Sequence, residues 1–437
     1  MIRALVAACA ALLLAFPADA AVEIQEITSP GGVDAWLVED HSIPFVALEL
    51  RFRGGASLDA PGKRGAINLM TALIEEGAGD LDAQGFAEAR EALAASYGFE
   101  AGDDAVSVSA RMLTATRDAA VDLLKLALTE TRFDEDALNR VRGQVLSGLQ
   151  SDEQDPGTIA GRTFNALAFG THPYGSPQDG TPESVAALTR ADMLEAKARA
   201  IARDRVVVAA VGDITAAELG ALLDHLLGDL PETGAPLPGD ATLGLTGGVT
   251  VVGFDTPQSV VVFGHEGLKR DDPDFFAAYI LNQILGGAGF SSRLMQEVRE
   301  ARGLTYGIYS YLVPRDHAET WQGSFASANE RVAEAIAVVR DEWAKAAAGG
   351  VTAAELEAAK TYLTGSYPLR FDGNGRIAEI LAGMQLDHLP ADYVNTRNAE
   401  IEAVTLDDIT RVAAKWLHPE GLRFVVVGRP IGLDSSD

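Results

Sequence analysis

"LTRADMLEAKARAIARDRVVVAAVGDI" (188–214) and "VTLDDITRVAAKWLHPEGLRFVVVGRP" (404–430) are the same design written twice. Thr189 matches Thr405 and Asp192 matches Asp408. Val207, Val208 and Gly212 match Arg423, Phe424 and Gly428, all at a constant offset of 216 residues. In each copy a threonine N-cap opens a helix, and an apolar strand then ends on glycine. A repeat this long, placed once near the middle and once near the end, predicts a chain of two similar units.

Working outward, the starts of the units correspond as well. "FVALELRFRGGASLDAPGKRG" (45–65) places Val46, Leu48, Leu50 and Phe52 on one face, the alternation of a half-buried strand. "SVVVFGHEGLKRDDPD" (259–274) is its counterpart: strand, glycine, Asp and Pro, then a long helix. "SYGFEAGDDAVSVSARM" (96–112) reads as two strands joined by a short turn. The expected class is α+β: two homologous repeated domains, each with helices packed on a mixed, mainly antiparallel sheet. The Gly- and Pro-dense stretch 228–248 breaks helical periodicity. The resulting division is 1–20, an export signal; 21–230, the N-terminal α+β domain; 231–248, a linker; and 249–437, the C-terminal α+β domain.

The signal assignment rests on "MIRALVAACAALLLAFPADA" (1–20). Arg3 opens it, Ala4 to Phe16 form an apolar core too short for a stable span, and Ala18 and Ala20 give a small-x-small cleavage pattern. The only cysteine, Cys9, lies inside it, so the mature chain has no disulfide and no thiolate metal site. Export with no cysteines points to a bacterial periplasm, and no other stretch is apolar enough for a stable membrane span. The net charge of −28 repels phosphate backbones and argues against nucleic acid as a partner. It keeps an exported protein soluble and would attract cationic peptides.

"GAINLMTALIEEGAG" (65–79) has helical spacing at Ala66, Leu69, Met70 and Leu73, turns polar at Glu75 and Glu76, and stops at Gly77. It reads as a buried helix with a polar end. With "FGTHPYGSPQDGTPESVAALT" (169–189), "LGGAGFSSRLMQEVREARGLTYGIYSYL" (285–312) and the repeated helix–strand ends, it carries a resemblance to the pitrilysin/insulinase-type zinc peptidases, specifically the mitochondrial-processing-peptidase-like branch. The resemblance covers essentially the whole mature chain. In active members the first stretch reads G-x-x-H-x-x-E-H: two histidines four apart hold zinc, and the glutamate between them is the general base. Here the first histidine position is Asn68, the glutamate position Thr71 and the second histidine position Ala72. The family's third ligand, a glutamate on a later helix, falls at Gly148, and its acidic companion at Val141. The expectation is a degenerate zinc site: no metal and no cofactor in this chain. His41, His172, His225, His265, His317, His388 and His418 are scattered, with no pair at ligand spacing. His172 and Tyr174 of "HPYG" are assigned to fold maintenance.

The 285–312 stretch keeps what the first has lost. Leu294, Met295 and Val298 mark a helix, Gly303 ends it, and "LTYGIYSYL" alternates like a strand, leaving Arg299 and Tyr306 seven residues apart across the corner. The resemblance implies that this Arg and Tyr reach the zinc site of another domain, Tyr306 donating to the oxyanion and Arg299 steadying the substrate carbonyl or the Tyr. "LGGAGFSS" (285–292) lacks the Lys-Ser/Thr of a phosphate loop, and no G-x-S-x-G elbow supports a serine hydrolase. The implied function is a non-catalytic subunit of a heterodimeric zinc metallopeptidase. It would lend Arg299 and Tyr306 in trans to a homologous zinc-bearing partner, and form half of a chamber for unfolded peptides. The alternative is a periplasmic peptide-binding homodimer with no chemistry.

Overall fold

The computed structural model describes residues 23–436; the signal-peptide assignment at 1–20 lies outside them. The strands are β1 (Gln25–Thr28), β2 (Asp34–Glu39), β3 (Phe45–Arg53), β4 (Gly77–Ala78), β5 (Leu81–Asp82), β6 (Ser96–Ala101), β7 (Ala105–Leu113), β8 (Val206–Gly212), β9 (Gly248–Gly253), β10 (Gln258–Glu266), β11 (Ile308–Pro314), β12 (Glu319–Ala328) and β13 (Arg423–Gly428). One sheet runs β1-β2-β8-β3-β7-β6 and the other β9-β13-β10-β12-β11, with β4 and β5 a small separate hairpin. Among the described residues, only the β2–β8 and β9–β13 pairs are parallel. The fold is therefore α+β with mixed, mainly antiparallel sheets.

Apart from β1, which the second sheet lacks among the described residues, the two sheets repeat each other, with β2, β8, β3, β7 and β6 corresponding to β9, β13, β10, β12 and β11. The paired threonines do the same work in each copy. Thr189 caps the helix Arg190–Ala200 and exchanges hydrogen bonds with Asp192; Thr405 caps Leu406–Trp416 and exchanges them with Asp408. Each is a capping box that satisfies two otherwise orphaned backbone donors. Each helix then feeds a buried strand, β8 or β13, in the interior of its sheet.

Each sheet carries helices from its own half on one face and a helix from the other half on the opposite face. Pro156–Phe169, from the first half, lies on β10 and β13 and packs Ala160, Phe164 and Ala168 against Val425 and Val427. Asn374–Leu386, from the second half, lies on β3 and β8 and packs Ala378, Leu381 and Ala382 against Trp36, Ala47, Ala209 and Val211. Small alanines at the contact let helix and sheet approach closely. Arg53 of β3 donates to the carbonyls of Gln385 (2.7 Å) and Leu386 (2.8 Å), closing the C-terminus of the visiting helix with a positive charge. Gln385 Nε2 in turn donates to the Val208 carbonyl at 2.8 Å.

This exchange corrects one reading of the sequence. Val46, Leu48, Leu50 and Phe52 do share a buried face, but β3 is not half-buried: Ala47 and Glu49 on its other face are covered too. The linker 231–248 has no regular structure until Gly248, where β9 begins, yet it is docked. Ala241 N donates to His317 O, Gly244 N to Ala168 O, and Leu243 and Leu245 pack beside Phe164.

Glu49 registers the crossing electrostatically. It is 7% exposed, with Arg51 Nη2 3.0 Å from its Oε2. Desolvation outweighs Arg51 and Arg111, Glu379 of the visiting helix and Glu100 add to it, and the carboxyl is pushed from 4.5 up to about 7. The folded state keeps this proton to about pH 7, the unfolded state only to 4.5. The contribution is thus full below pH 4.5 and lost as pH rises to 7, about 3 kcal/mol in all. Glu49→Gln should remove that loss: in urea unfolding, the variant gains roughly 2–3 kcal/mol relative to wild type on going from pH 5 to pH 8, the rest of the loss having occurred below pH 5. Equal differences at the two pH values would show that Glu49 ionises normally.

Candidate functional site

The helix that would carry a metal is shorter than its sequence pattern. It spans Ala66–Thr71 and is followed by turns. Ala72 N still reaches Asn68 O, but Leu73, Ile74 and Glu76 bond three residues back, to Met70, Thr71 and Leu73. The Thr71 hydroxyl also donates to Asn68 O at 2.9 Å, a back-bond that competes with the regular ladder. Ile67, Leu69, Met70, Leu73 and Ile74 all remain in the core, so the packing role survives the loss of helix. Glu75 and Glu76 turn outward to Arg90 and Arg140.

Asn68 is half-buried, Thr71 buried and Ala72 exposed. Gly148 lies on the exposed side of the helix Glu135–Asp152, which touches the short helix, and Val141 is core. An amide, a hydroxyl, a methyl group and a hydrogen are not a zinc donor set. No group of three or more His, Cys, Asp or Glu among the described residues is placed to hold a metal. The residues present do not fit the zinc that the resemblance implies for these positions.

The second-half corner is different. Two π-helical segments, Gln283–Gly287 and Met295–Glu300, lead into it, the second carrying Arg299, an uncommon geometry found often at functional sites. Gly286 is required there: a Cβ would lie 2.3 Å from Ser310 Oγ, where the turn backs onto β11. Gly303, at φ +61°, reverses the chain, its N–H donating to Arg299 O at 2.8 Å. The strand starts only at Ile308, so Tyr306 stands in the connecting loop. Its backbone is pinned on both sides: the Ser327 hydroxyl donates to Leu304 O (2.6 Å), and the Thr305 hydroxyl donates to Gly307 O (2.8 Å) across Tyr306. The Tyr306 ring itself is 86% exposed. Arg299 lies over the exposed Phe290 ring (4.6 Å) and only 3.8 Å from Glu300 Oε1. It therefore holds its charge in a loose arrangement that another acceptor can displace. Tyr309 and Tyr311 continue the exposed aromatic row along β11, an edge strand. Their i, i+2 spacing in "YGIYSYL" was the available signal.

The "HPYG" segment is a lock between halves. Buried Tyr174 hydrogen-bonds Asp104, and His317 N donates to its hydroxyl at 3.2 Å. Arg315, also from the second half, stacks over the Tyr174 ring (4.9 Å) and pairs with Asp103 (3.4 Å). Burial raises both Asp103 and Asp104. Distant histidines do meet, His172 with His317 at 6.0 Å and His265 with His418 at 5.9 Å between ring centroids. His265 accepts from Trp343 Nε1 and sits deep in the second core, where burial lowers it to about 4.

Two repeated α+β units, with no zinc donors on the helix that the resemblance assigns to them, are an arrangement shared with known proteins. The family description "Peptidase M16 inactive domain" matches residues 187–363. The crystal structure of a peptidase M16 inactive domain from Pseudomonas fluorescens superposes with a TM-score of 0.88 at 30% identity, covering 94% of this chain and all of that one. The "Non-peptidase homolog YmxG" of Helicobacter pylori is 27% identical over 89% of this chain and 90% of its own length. The "Probable mitochondrial-processing peptidase subunit beta" of Schizosaccharomyces pombe is 25% identical over 72% of this chain and 71% of its own length. The chain belongs to the M16, or pitrilysin, family, and its similarity extends to that family's non-peptidase members.

Metal analysis of the purified chain should find no stoichiometric zinc, and Asn68→His with Ala72→His should not confer peptide hydrolysis, since Thr71 supplies no base and Gly148 no carboxylate. One tightly held zinc per chain, lost on substituting Asn68, would contradict this.

Proposed function

We propose that this chain is the non-catalytic subunit of a heterodimeric zinc metallopeptidase, acting in the periplasm after export by residues 1–20. It lends Arg299 and Tyr306 to the zinc site of a homologous partner and closes half of a chamber for unfolded peptides. The observation that carries this reading is Tyr306: a ring 86% exposed on a backbone pinned by Thr305 and Ser327. An exposed phenol on a fixed backbone is preorganised to donate to an acceptor brought by another chain. Pairing is supported by the relative named as a processing-peptidase subunit. No helix among the described residues is long and apolar enough to cross a membrane.

In the complex, the partner's zinc would polarise the scissile carbonyl. Tyr306 donates to the oxygen as it becomes an oxyanion, and Arg299, free to leave Glu300, adds positive charge beside it. One observation favours a second reading, a homodimer that only holds peptides: Tyr309 and Tyr311 give edge strand β11 a row of exposed rings suited to extended chains.

Steady-state kinetics of the reconstituted pair decides between them. Tyr306→Phe should lower turnover by about a hundred- to a thousandfold, about 3–4 kcal/mol, with KM and assembly little changed. Arg299→Ala should also lower turnover. Full turnover in an assembled Tyr306→Phe complex would remove Tyr306 from the chemistry and favour the binding protein.

A further inference from the structure

Because the helix Asn374–Leu386 leaves its own half to cover the first sheet, a cavity of about 330 Å³ opens between it and the second-half helices Phe275–Asn282 and Tyr393–Ala403. In a chain with a net charge of −28, its walls carry four arginines, Arg270, Arg370, Arg376 and Arg397, against two acids, Glu379 and Asp387. Arg376 is neutralised by Glu379 at 2.6 Å, and Arg270 faces Asp387 at 4.0 Å while donating to Tyr393 Oη. The other two make no ion pair among the described residues. Arg397 is only 5% exposed. Its Nη1 donates to Leu363 O and Asn398 Oδ1, both uncharged, and its guanidinium carbon lies over the Tyr367 ring, 4.2 Å from the centroid. A buried guanidinium without a carboxylate is unfavourable unless an anion completes it. Arg370 is exposed, at the single turn Pro368–Arg370 that borders the same cavity.

The remaining lining is mostly apolar and its larger part aromatic: Phe275, Phe276 and Tyr279 from one wall and Tyr367 and Tyr393 from others, with Ile380, Met384 and Leu389 between them. Planar cations set among rings bind planar oxyanions and flat apolar groups together. The two wall acids limit how much negative charge the site accepts, which favours a monoanion over a phosphate dianion. We propose that this cavity is a binding site for a carboxylate attached to an apolar, preferably aromatic, body, its oxygens on Arg397 and Arg370 and its body against the aromatic walls. The C-terminal residue of a peptide and a free aromatic acid share this chemistry.

Calorimetric titration of the full chain tests it, with N-acetylphenylalanine, a hexapeptide ending in Phe with a free carboxylate, the amides of both, and inorganic phosphate. The expected result is saturable binding of the free acids, at least tenfold weaker binding of the amides, and little response to phosphate; the tighter of the two acids identifies the source. Arg370→Gln, exposed and outside the core, should weaken binding about tenfold, and Arg397→Gln should weaken it further. Should Arg397→Gln fail to fold, Arg370→Gln still decides. No binding of either acid, amides equal to acids, or unchanged affinity in Arg370→Gln would each overturn the assignment.

Discussion

The constraint on which this molecule depends is that each of its sheets has two apolar faces while each half supplies most of its helices to only one. β8 is apolar along its length, β13 is apolar after its opening Arg423, and both faces of β3 are covered. A face left in water would expose a contiguous apolar surface far larger than single surface residues account for. The chain resolves this by exchange: Pro156–Phe169 crosses to the second sheet and Asn374–Leu386 to the first. Neither half therefore completes its own core. The remaining contacts between halves follow from the exchange. Arg53 holds the end of one visiting helix, and the docked strap 231–248 lies beside the other. Tyr174 and Asp104 meet Arg315 and His317 where the halves come together.

Much of this was legible in the sequence, and the reason is local. Capping boxes at Thr189 and Thr405, the alternation of β3, and the glycines ending β8 and β13 are specified by residues a few positions apart. The exchange was not legible. An alanine-rich helix such as Asn374–Leu386 reads the same whichever sheet receives it, and nothing nearby in sequence names its partner. Glu49 shows the consequence: on a solvated face it would be an ordinary strand acid, and only the visiting helix makes it a buried one. The break after Thr71 escaped periodicity for a related reason. Apolar residues at 66, 67, 69, 70, 73 and 74 can all be buried by a helical turn followed by tighter turns as well as by a continuous helix.

The candidate site was legible by residue type and illegible by state. Spacing places Arg299 and Tyr306 on either side of a corner. It does not say that one ring would be almost fully exposed, or that two π-helical segments would lead into the corner. The Arg397 cavity gave no sequence signal: its lining comes from positions 270 to 397, brought together by the same helix crossing that covers the first sheet.

The two ends of the chain's peptidase inheritance can be compared on physical grounds. At the metal positions the fold still has room. A Cβ at Gly148 meets nothing within 4 Å, and Ala72 is exposed. Packing does not exclude ligands there; the donors are simply missing, while the flanking Ile67, Leu69 and Met70 keep the segment in the core. At the corner the balance is reversed. The Tyr306 ring adds almost nothing to the core, since nearly all of it lies in solvent, yet hydrogen bonds from Thr305 and Ser327 fix the backbone beneath it. Stability explains the residues around the emptied metal site. It explains the scaffold of the corner too, but not the side chain that scaffold presents. A side chain that a folded monomer has no use for is what the proposed role at a partner's site requires, and that proposal therefore rests on the second half of the chain.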